Sequence, residues 1–294
     1  MKATKNISAI KLNKRKRALC VILTLFVALT LVTIWGNLTV SIESFNLQTE
    51  KLELEKSFKI AHVSDYHNTK INSLRVTVIE SLKKEKPNAI FITGDIFDSR
   101  KTDIAESVSF VSELVKIAPV YYVTGNHECN VSIDNQKAFD DFIADIKKLG
   151  VVVLREESSA LELSDGQKIN IHGIFDPLFY CSNSTEFTET TQEQCASLEV
   201  DERELNILLA HQPEQIAVYA NHNFDFVYSG HAHGGQGRLF GVGLIAPDQG
   251  FFPKYTSGLY KEGNTTMVVS RGIGNSIVPV RIFCRPHLIY TTIK

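Results

Sequence analysis

Past its seventeenth residue the chain has no surplus of positive charge. Seven of the 31 Lys and Arg residues fall in positions 1–17, leaving 24 basic against 33 acidic side chains, a formal charge of −9. A surface of that sign is repelled by a phosphate backbone, so no nucleic-acid partner is expected. Cysteine is scarce as well: Cys20, Cys129, Cys181, Cys195 and Cys284 are the whole complement, and their spacing matches no zinc pattern. Cys181 and Cys195 bracket a polar segment and are the pair that an oxidising exterior would join. Internal repeats are missing too. Beyond residues 176–203, a stretch rich in Ser, Thr and Glu and expected to be a loop near a site rim, no segment is of low complexity.

The chain has one long charge-free apolar run, Ala18 to Trp35. As a helix, about 18 residues rise roughly 27 Å, close to the hydrocarbon thickness of a bilayer. No small-x-small cleavage site follows it, since the run closes on Thr33, Ile34, Trp35 and Gly36. That argues for a retained span rather than a cleaved signal peptide. The run also lacks polar positions at helical spacing, which a core helix would show. Trp35 suits an interfacial anchor, and the basic flank places the N-terminus in the cytoplasm. The expected organisation is a basic cytoplasmic flank over 1–17, a single transmembrane helix over 18–36, a tether or first hairpin over 37–57, and an extracytoplasmic domain over 58–294.

Within that domain, short apolar runs end in polar, chemically capable residues. Phe58 to Val63 leads into Ser64, Asp65, Tyr66, His67 and Asn68. Ile71, Leu74, Val78 and Leu82 then repeat at helical spacing up to Pro87. Ala89 to Thr93 leads into Gly94-Asp95-Ile96-Phe97-Asp98, followed by a predicted helix over 103–117. Pro119 to Thr124 leads into Gly125-Asn126-His127-Glu128, followed by a predicted helix over 136–149. Strands alternating with helices predict a mainly parallel sheet whose carboxyl-end loops gather into one site. The second half is richer in strands, predicted over 151–154, 168–173, 206–210, 224–229, 267–270 and 288–293. Two facing mixed sheets flanked by helices, an α/β architecture of four layers, accommodate this count.

The second half supplies His211 after one such run and Gly230-His231-Ala232-His233 after another. Side chains alternate along a strand, but a glycine-permitted turn lets the two rings diverge toward neighbouring ions. Carboxylates and imidazoles together suit divalent manganese, iron or zinc rather than calcium or magnesium. Two such ions about 3.5 to 4 Å apart can share a hydroxide, and Asp95 is the candidate bridging carboxylate.

The blocks D-x-H, G-D-x-x-D, G-N-H-E, H and G-H-x-H, in that order over residues 58–294, resemble the calcineurin-like metallophosphoesterase superfamily. The resemblance implies a four-layer αββα sandwich with one ion held by Asp65, His67, Asp95 and His233. It implies a second ion held by Asp95, Asn126, His211 and His231. It further implies that His127 faces the leaving group as general acid and that Asp98 orients its ring. The expected chemistry is in-line attack on phosphorus by a hydroxide shared between two divalent ions, without a covalent intermediate. Ser99 stands where many relatives that act on phosphoproteins carry Arg, which argues against such a substrate. The tail, with Ala246-Pro247-Asp248-Gln249-Gly250 and Ser270-Arg271-Gly272-Ile273-Gly274-Asn275, is similar to the bacterial membrane-anchored subgroup, implying a cell-envelope phosphodiesterase or phosphatase. Arg271 is then the candidate phosphate clamp, and the expected substrate is a small or lipid-linked phosphoric ester. The alternative is a non-catalytic envelope protein that binds a phosphorylated ligand through its metals. His62, His172, His222 and His287 fit no block and are read as structural.

Overall fold

The structure is a computed structural model that describes residues 2–52, 57–163, 166–276 and 278–294, with residues 2–13 given by backbone alone. A single helix, α1 (Lys2–Leu38), carries both the basic flank and the apolar run. Its portion Lys14–Leu38 is long and apolar enough to cross a membrane, and its most apolar window is not buried against the protein. At 1.5 Å per residue that portion measures about 37 Å, more than a hydrocarbon core requires.

Strand β1 (Ser41–Leu47) follows, and then strands and helices alternate: β2 (Phe58–Val63), α2 (Asn72–Glu85), β3 (Ala89–Thr93), α3 (Ile104–Leu114), β4 (Val120–Val123), α4 (Asn126–Asp134), α5 (Gln136–Lys148) and β5 (Val152–Val153). The second half runs β6 (Glu157–Glu162), β7 (Lys168–Gly173), α6 (Phe187–Ala196), β8 (Leu205–Leu209), α7 (Ile216–Asn221) and β9 (Phe226–Ser229). Two small hairpins come next, β10 (Arg238–Leu239) with β11 (Val242–Gly243) and β12 (Ile245–Ala246) with β13 (Gly250–Phe251). The chain closes with β14 (Gly258–Glu262), β15 (Thr265–Val269) and β16 (His287–Ile293).

The larger strands form two six-stranded sheets, ordered β1-β16-β2-β3-β4-β5 and β14-β15-β9-β8-β7-β6. Four successive strands in each are parallel, β2 to β5 in one and β7, β8, β9 and β15 in the other. Period-two alternation sorts their side chains. Phe58, Ile60, Phe91, Tyr121 and Val123 meet Ile169, Ile207, Leu209 and Tyr228 between the sheets. Ala61, Ile90, Ile92 and Tyr122 point the other way, onto Leu74, Val78, Phe110 and Phe142 of α2, α3 and α5. Leu208, Val227 and Met267 likewise pack on Ile216 and Tyr219 of α7. Two facing mixed sheets with helices outside are therefore present as expected.

Three expectations differ from the structure. The segment expected to be a tether or hairpin contains β1, paired in parallel with β16 from Ser41 opposite His287 to Leu47 opposite Ile293. Its polarity hid the strand because Glu43 is neutralised by Arg271 at 2.8 Å, with His287 at 3.4 Å; residues 53–56 of that segment lie outside the described residues. Residues 176–203 hold α6, whose Phe187, Thr191 and Cys195 are buried. All five cysteines are free thiols. Cys181 is engaged with the Pro177 carbonyl at 3.3 Å and with Thr190, while Cys195 packs beside Ile174 and Tyr219 in the outer core.

His62 sits between the sheets, its Nε2 2.8 Å from Thr93 Oγ1 and its ring edge-on to Tyr228. Burial pushes its pKa down to about 3, whereas an unfolded chain titrates histidine near ~6.5. The unfolded state therefore binds the proton first. The stability that neutral His62 contributes is complete above pH ~6.5 and declines as pH falls toward 3, by up to about 1.4 kcal/mol per pH unit. Urea unfolding of the detergent-solubilised full chain will show a slope of this sign between pH 6 and 4, to which buried His67, His233 and His287 also contribute, and His62→Gln will reduce it; an unchanged slope removes His62 as a contributor.

Candidate metal centre

Every ligand candidate leaves the carboxyl end of a strand. Asp65 and His67 follow β2, Asp95 follows β3, Asn126 opens α4 after β4, His211 follows β8, and His231 and His233 follow β9. The two sheets bring these five strand ends together, and all seven residues meet in one place. Asp65, His67, Asp95, His231 and His233 all have positive φ, between 46° and 64°. Such conformations cost on the order of 1 kcal/mol or more apiece and persist only where surroundings enforce them. Here Asp65 N donates to Gly94 O and His67 N to Asp95 O, each at 3.0 Å, and His231 N donates to the Asp65 carboxylate.

Glycine is required where the loops cross. A Cβ on Gly94 would stand 2.4 Å from Gly125 N, and one on Gly125 would stand 2.3 Å from Asp95 Oδ1. The Gly-Asp and Gly-Asn pairs are thus the two halves of one close contact.

The donor atoms fall into two groups that share Asp95. In the first, His67 Nε2 lies 3.2 Å from His233 Nε2 and 3.6 Å from Asp95 Oδ2, and His233 Nε2 lies 3.4 Å from Asp65 Oδ1. In the second, His211 Nε2 lies 3.4 Å from the same Asp95 Oδ2 and 3.1 Å from His231 Nδ1. Asn126 Oδ1 is buried beside them without a hydrogen-bond partner. An orphaned amide oxygen and lone-pair-bearing nitrogens aimed at one another describe the surroundings of cations, so these residues fit a pair of divalent ions.

Partners behind the ligands fix which nitrogen faces inward. His211 Nδ1 donates to Thr93 O at 2.6 Å, leaving Nε2 for the centre. His231 Nε2 donates to Asp248 Oδ2 at 2.9 Å, leaving Nδ1. Burial holds His67 down at about 3. Burial, with His67 and Arg281 nearby, keeps His233 well below its ordinary value. Neutral imidazole is the form that binds metal. Burial alone would raise the Asp95 carboxyl, but His211, His127 and His67 outweigh it and hold it well below the usual range. Reciprocally, Asp95 outweighs burial at His211 and raises its pKa well above normal. A proton on His211 therefore stands where an ion would, and metal binding displaces it.

Two supporting residues escaped the sequence reading. Glu128 is fully buried and its carboxylate accepts from Gly125 N, Asp95 N and Ile96 N at 2.7–2.8 Å. It locks the two ligand loops together, and its place three residues into α4 is a capping-box signal. Asp248 lies in the tail stretch Ala246 to Gly250, far in sequence from the histidine it orients.

His127 lines the same pocket. Its Nδ1 accepts from Ser99 N at 2.9 Å and lies 3.0 Å from Ser99 Oγ, so the ring proton sits on Nε2. That nitrogen faces Ser276 Oγ at 3.2 Å and Asp95 Oδ2 at 4.0 Å. Asp98, expected to orient the ring, approaches Nδ1 only to 3.8 Å. Its oxygens are taken by Arg100, at 2.7 Å for the closest pair, because the guanidinium folds back two residues. The ring is held by a backbone amide instead. Arg271, the candidate clamp, points away from the pocket: Glu43, Ser257 Oγ and the Arg285 carbonyl occupy its guanidinium.

Besides His127 and the ligand candidates Asp95, Asn126, His231 and His233, the pocket is lined by Asp248, Gln212, Gln236 and Ser276 and by the apolar Leu178, Phe187 and Pro247. No Arg or Lys lines it among the described residues. A larger hollow, bordered by Ser158, His172 and Asp201, contains none of the clustered donors.

Residues 58–235 match the family model described as Calcineurin-like phosphoesterase. The chain is 29% identical over 241 residues to the uncharacterized metallophosphoesterase YkuE of Bacillus subtilis (strain 168), covering 81% of this chain and 77% of that protein. An uncharacterized metallophosphoesterase of Aquifex aeolicus (strain VF5) is 28% identical over 270 residues, 86% and 91% of the two chains. The phosphodiesterase YaeI of Escherichia coli (strain K12) is 27% identical over 237 residues, 79% and 80% of the two.

Proposed function

The chain belongs to the calcineurin-like phosphoesterase family and is a metal-dependent phosphoesterase, and from that premise we propose that it is a membrane-anchored phosphodiesterase. The observation that carries the diester reading is a pocket lined, among the described residues, without Arg or Lys, with Leu178, Phe187 and Pro247 on its wall. A monoester dianion calls for a cationic clamp beyond the metals, whereas a diester has a single charge and a second organic group to shelter. YaeI, a relative of similar length, is named a phosphodiesterase.

Asp65, His67, Asp95 and His233 would hold one divalent ion, and Asp95, Asn126, His211 and His231 the other. When bound, such a pair supplies Lewis acidity at phosphorus and makes water acidic enough to act as a nucleophile. The protein's own part is distinct. Asp95 fixes the spacing of the two ligand groups, and its Oδ1 accepts from the His127 backbone N at 2.9 Å, tying the acid to the ligand frame. Ser99 keeps the His127 proton on Nε2, from which it passes to the departing alkoxide. Leu178 and Phe187 exclude water from the side where the second ester group lies.

The unburied apolar helix and the basic flank before it support a membrane anchoring with the flank in the cytoplasm and the domain outside the cell. The test strips metal from the full chain in detergent, restores manganese, iron or zinc, and compares bis-p-nitrophenyl phosphate with p-nitrophenyl phosphate. At least about a tenfold higher kcat/KM on the diester is expected, a difference of about 1.4 kcal/mol in transition-state binding. The reverse ranking overturns the diester reading. No turnover of either ester with any metal overturns the centre itself.

A further inference from the structure

Outside α1, the exposed large apolar side chains concentrate in two segments, 239–252 and 278–283. Phe240 at the tip of the first hairpin is 97% exposed, Phe251 78% and Phe252 71%. Leu239, Val242, Val280 and Phe283 are exposed beside them. Three phenylalanines at these exposures present roughly 450 Å² of apolar surface, at the upper end of what a soluble monomer tolerates without a partner.

The two segments form one surface. Gly237 bridges Ile282, and Arg238 N donates to Ile282 O at 2.9 Å. That surface is fastened to the end of α1: Asn37 Nδ2 donates to Arg281 O at 2.8 Å, and Arg281 N donates to Asn37 Oδ1 at 2.9 Å. Arg285 lies over the Trp35 ring at 4.6 Å. Trp35 is an interfacial residue, and Asn37 is two residues farther along, about 3 Å of helix rise. On the reading of α1 as a membrane span, segment 278–283 is held at headgroup depth by its hydrogen bonds to Asn37. The same segments also wall the metal pocket, through Pro247 and Asp248 between β12 and β13 and through Ser276 just before residue 278.

We propose that the hairpins at 238–252 and the segment 278–283 form a membrane-docking surface. They dip their phenylalanines into the outer leaflet and open the metal pocket toward it, so that the substrate is an amphiphilic phosphodiester whose hydrocarbon chain stays in the bilayer. This rests on the reading of α1 as a membrane span and of the pocket as a diesterase site. The occupant is lipid because the patch continues the unburied apolar surface of α1 at the level where that helix leaves the membrane.

The test uses the full chain reconstituted into vesicles of phosphatidylethanolamine and phosphatidylglycerol brominated on their acyl chains. Trp35 is the only tryptophan, so its quenching in the unsubstituted protein reports the span alone. In a Trp35→Phe background, Phe240→Trp and Phe251→Trp each report the patch. Both introduced tryptophans are expected to lose half or more of their emission. Quenching of Trp35 with none at the introduced sites overturns the docking surface and leaves the span standing, the result a protein-protein interface on this patch would give. No quenching at Trp35 overturns the span, and this inference with it. A second arm combines Phe240→Ser, Phe251→Ser and Phe252→Ser. Turnover of a long-chain alkyl p-nitrophenyl phosphate in the vesicles is expected to fall about tenfold while that of soluble bis-p-nitrophenyl phosphate is unchanged. Equal loss on both, or none on either, overturns the proposed substrate class, and absence of diester turnover in the unsubstituted protein refutes the diesterase reading separately.

Discussion

Exchanging Asp95 for asparagine will lower phosphoesterase turnover by about a thousandfold or more and release both divalent ions. Asp95 Oδ2 lies 3.6 Å from His67 Nε2 and 3.4 Å from His211 Nε2, a carboxylate oxygen within reach of both ligand groups. Asparagine keeps the shape and tolerates the positive φ at this position, so Asp95→Asn isolates the charge from the fold. Charge stabilisation by a bound metal is worth several kcal/mol, and each 1.36 kcal/mol is a factor of ~10, which sets the expected size at about 10³. Elemental analysis of the purified variant should find less than one ion per chain. A variant that retains two ions and full turnover would show that Asp95 does not join the two halves of the centre.

His127→Ala should behave differently, by splitting substrates according to their leaving groups. With an alkyl alcohol departing, the rate should fall by about 10² to 10⁴, the usual contribution of a positioned acid. With p-nitrophenolate departing, which needs no proton, the rate should change little, and bound metal should stay at its normal level. Structure supports a donor role because Ser99 N fills Nδ1 at 2.9 Å and leaves the proton on the pocket-facing nitrogen. A uniform loss on both esters, or loss of metal, would assign His127 to the frame and not to proton transfer.

The convergence of the seven ligand candidates was legible because each ends an apolar run, and parallel strands deliver their carboxyl ends to one side of a sheet. Short apolar runs made β2, β3, β4, β8 and β9 readable, and the helical spacing of Leu74, Val78 and Leu82 did the same for α2. What was missed depends on distance through space. Asp248 reaches His231 across 17 residues through a hairpin with no strong periodicity. Helix α4 has no sequence counterpart since Asn126, Asn130 and Ser132 are weak helix formers, and its start is held by Glu128 rather than by propensity. Arg271 resembles a clamp because Gly272 and Gly274 follow it. Its actual partner, Glu43, lies 228 residues away on a strand whose charges masked it. Asp98 was assigned to His127 from the motif alone, and the neighbouring Arg100 decided otherwise.

Only residues 39 and 40 separate α1 from β1, and β1 is zipped along the full length of the final strand. There is no slack leash between anchor and domain. On the proposed anchoring, the enzyme cannot swing out to sample the surrounding medium, so its encounters are confined to the plane of the leaflet. Its rate should then follow the mole fraction of substrate among neighbouring lipids, and diluting the vesicles at fixed composition should leave that rate per enzyme unaltered.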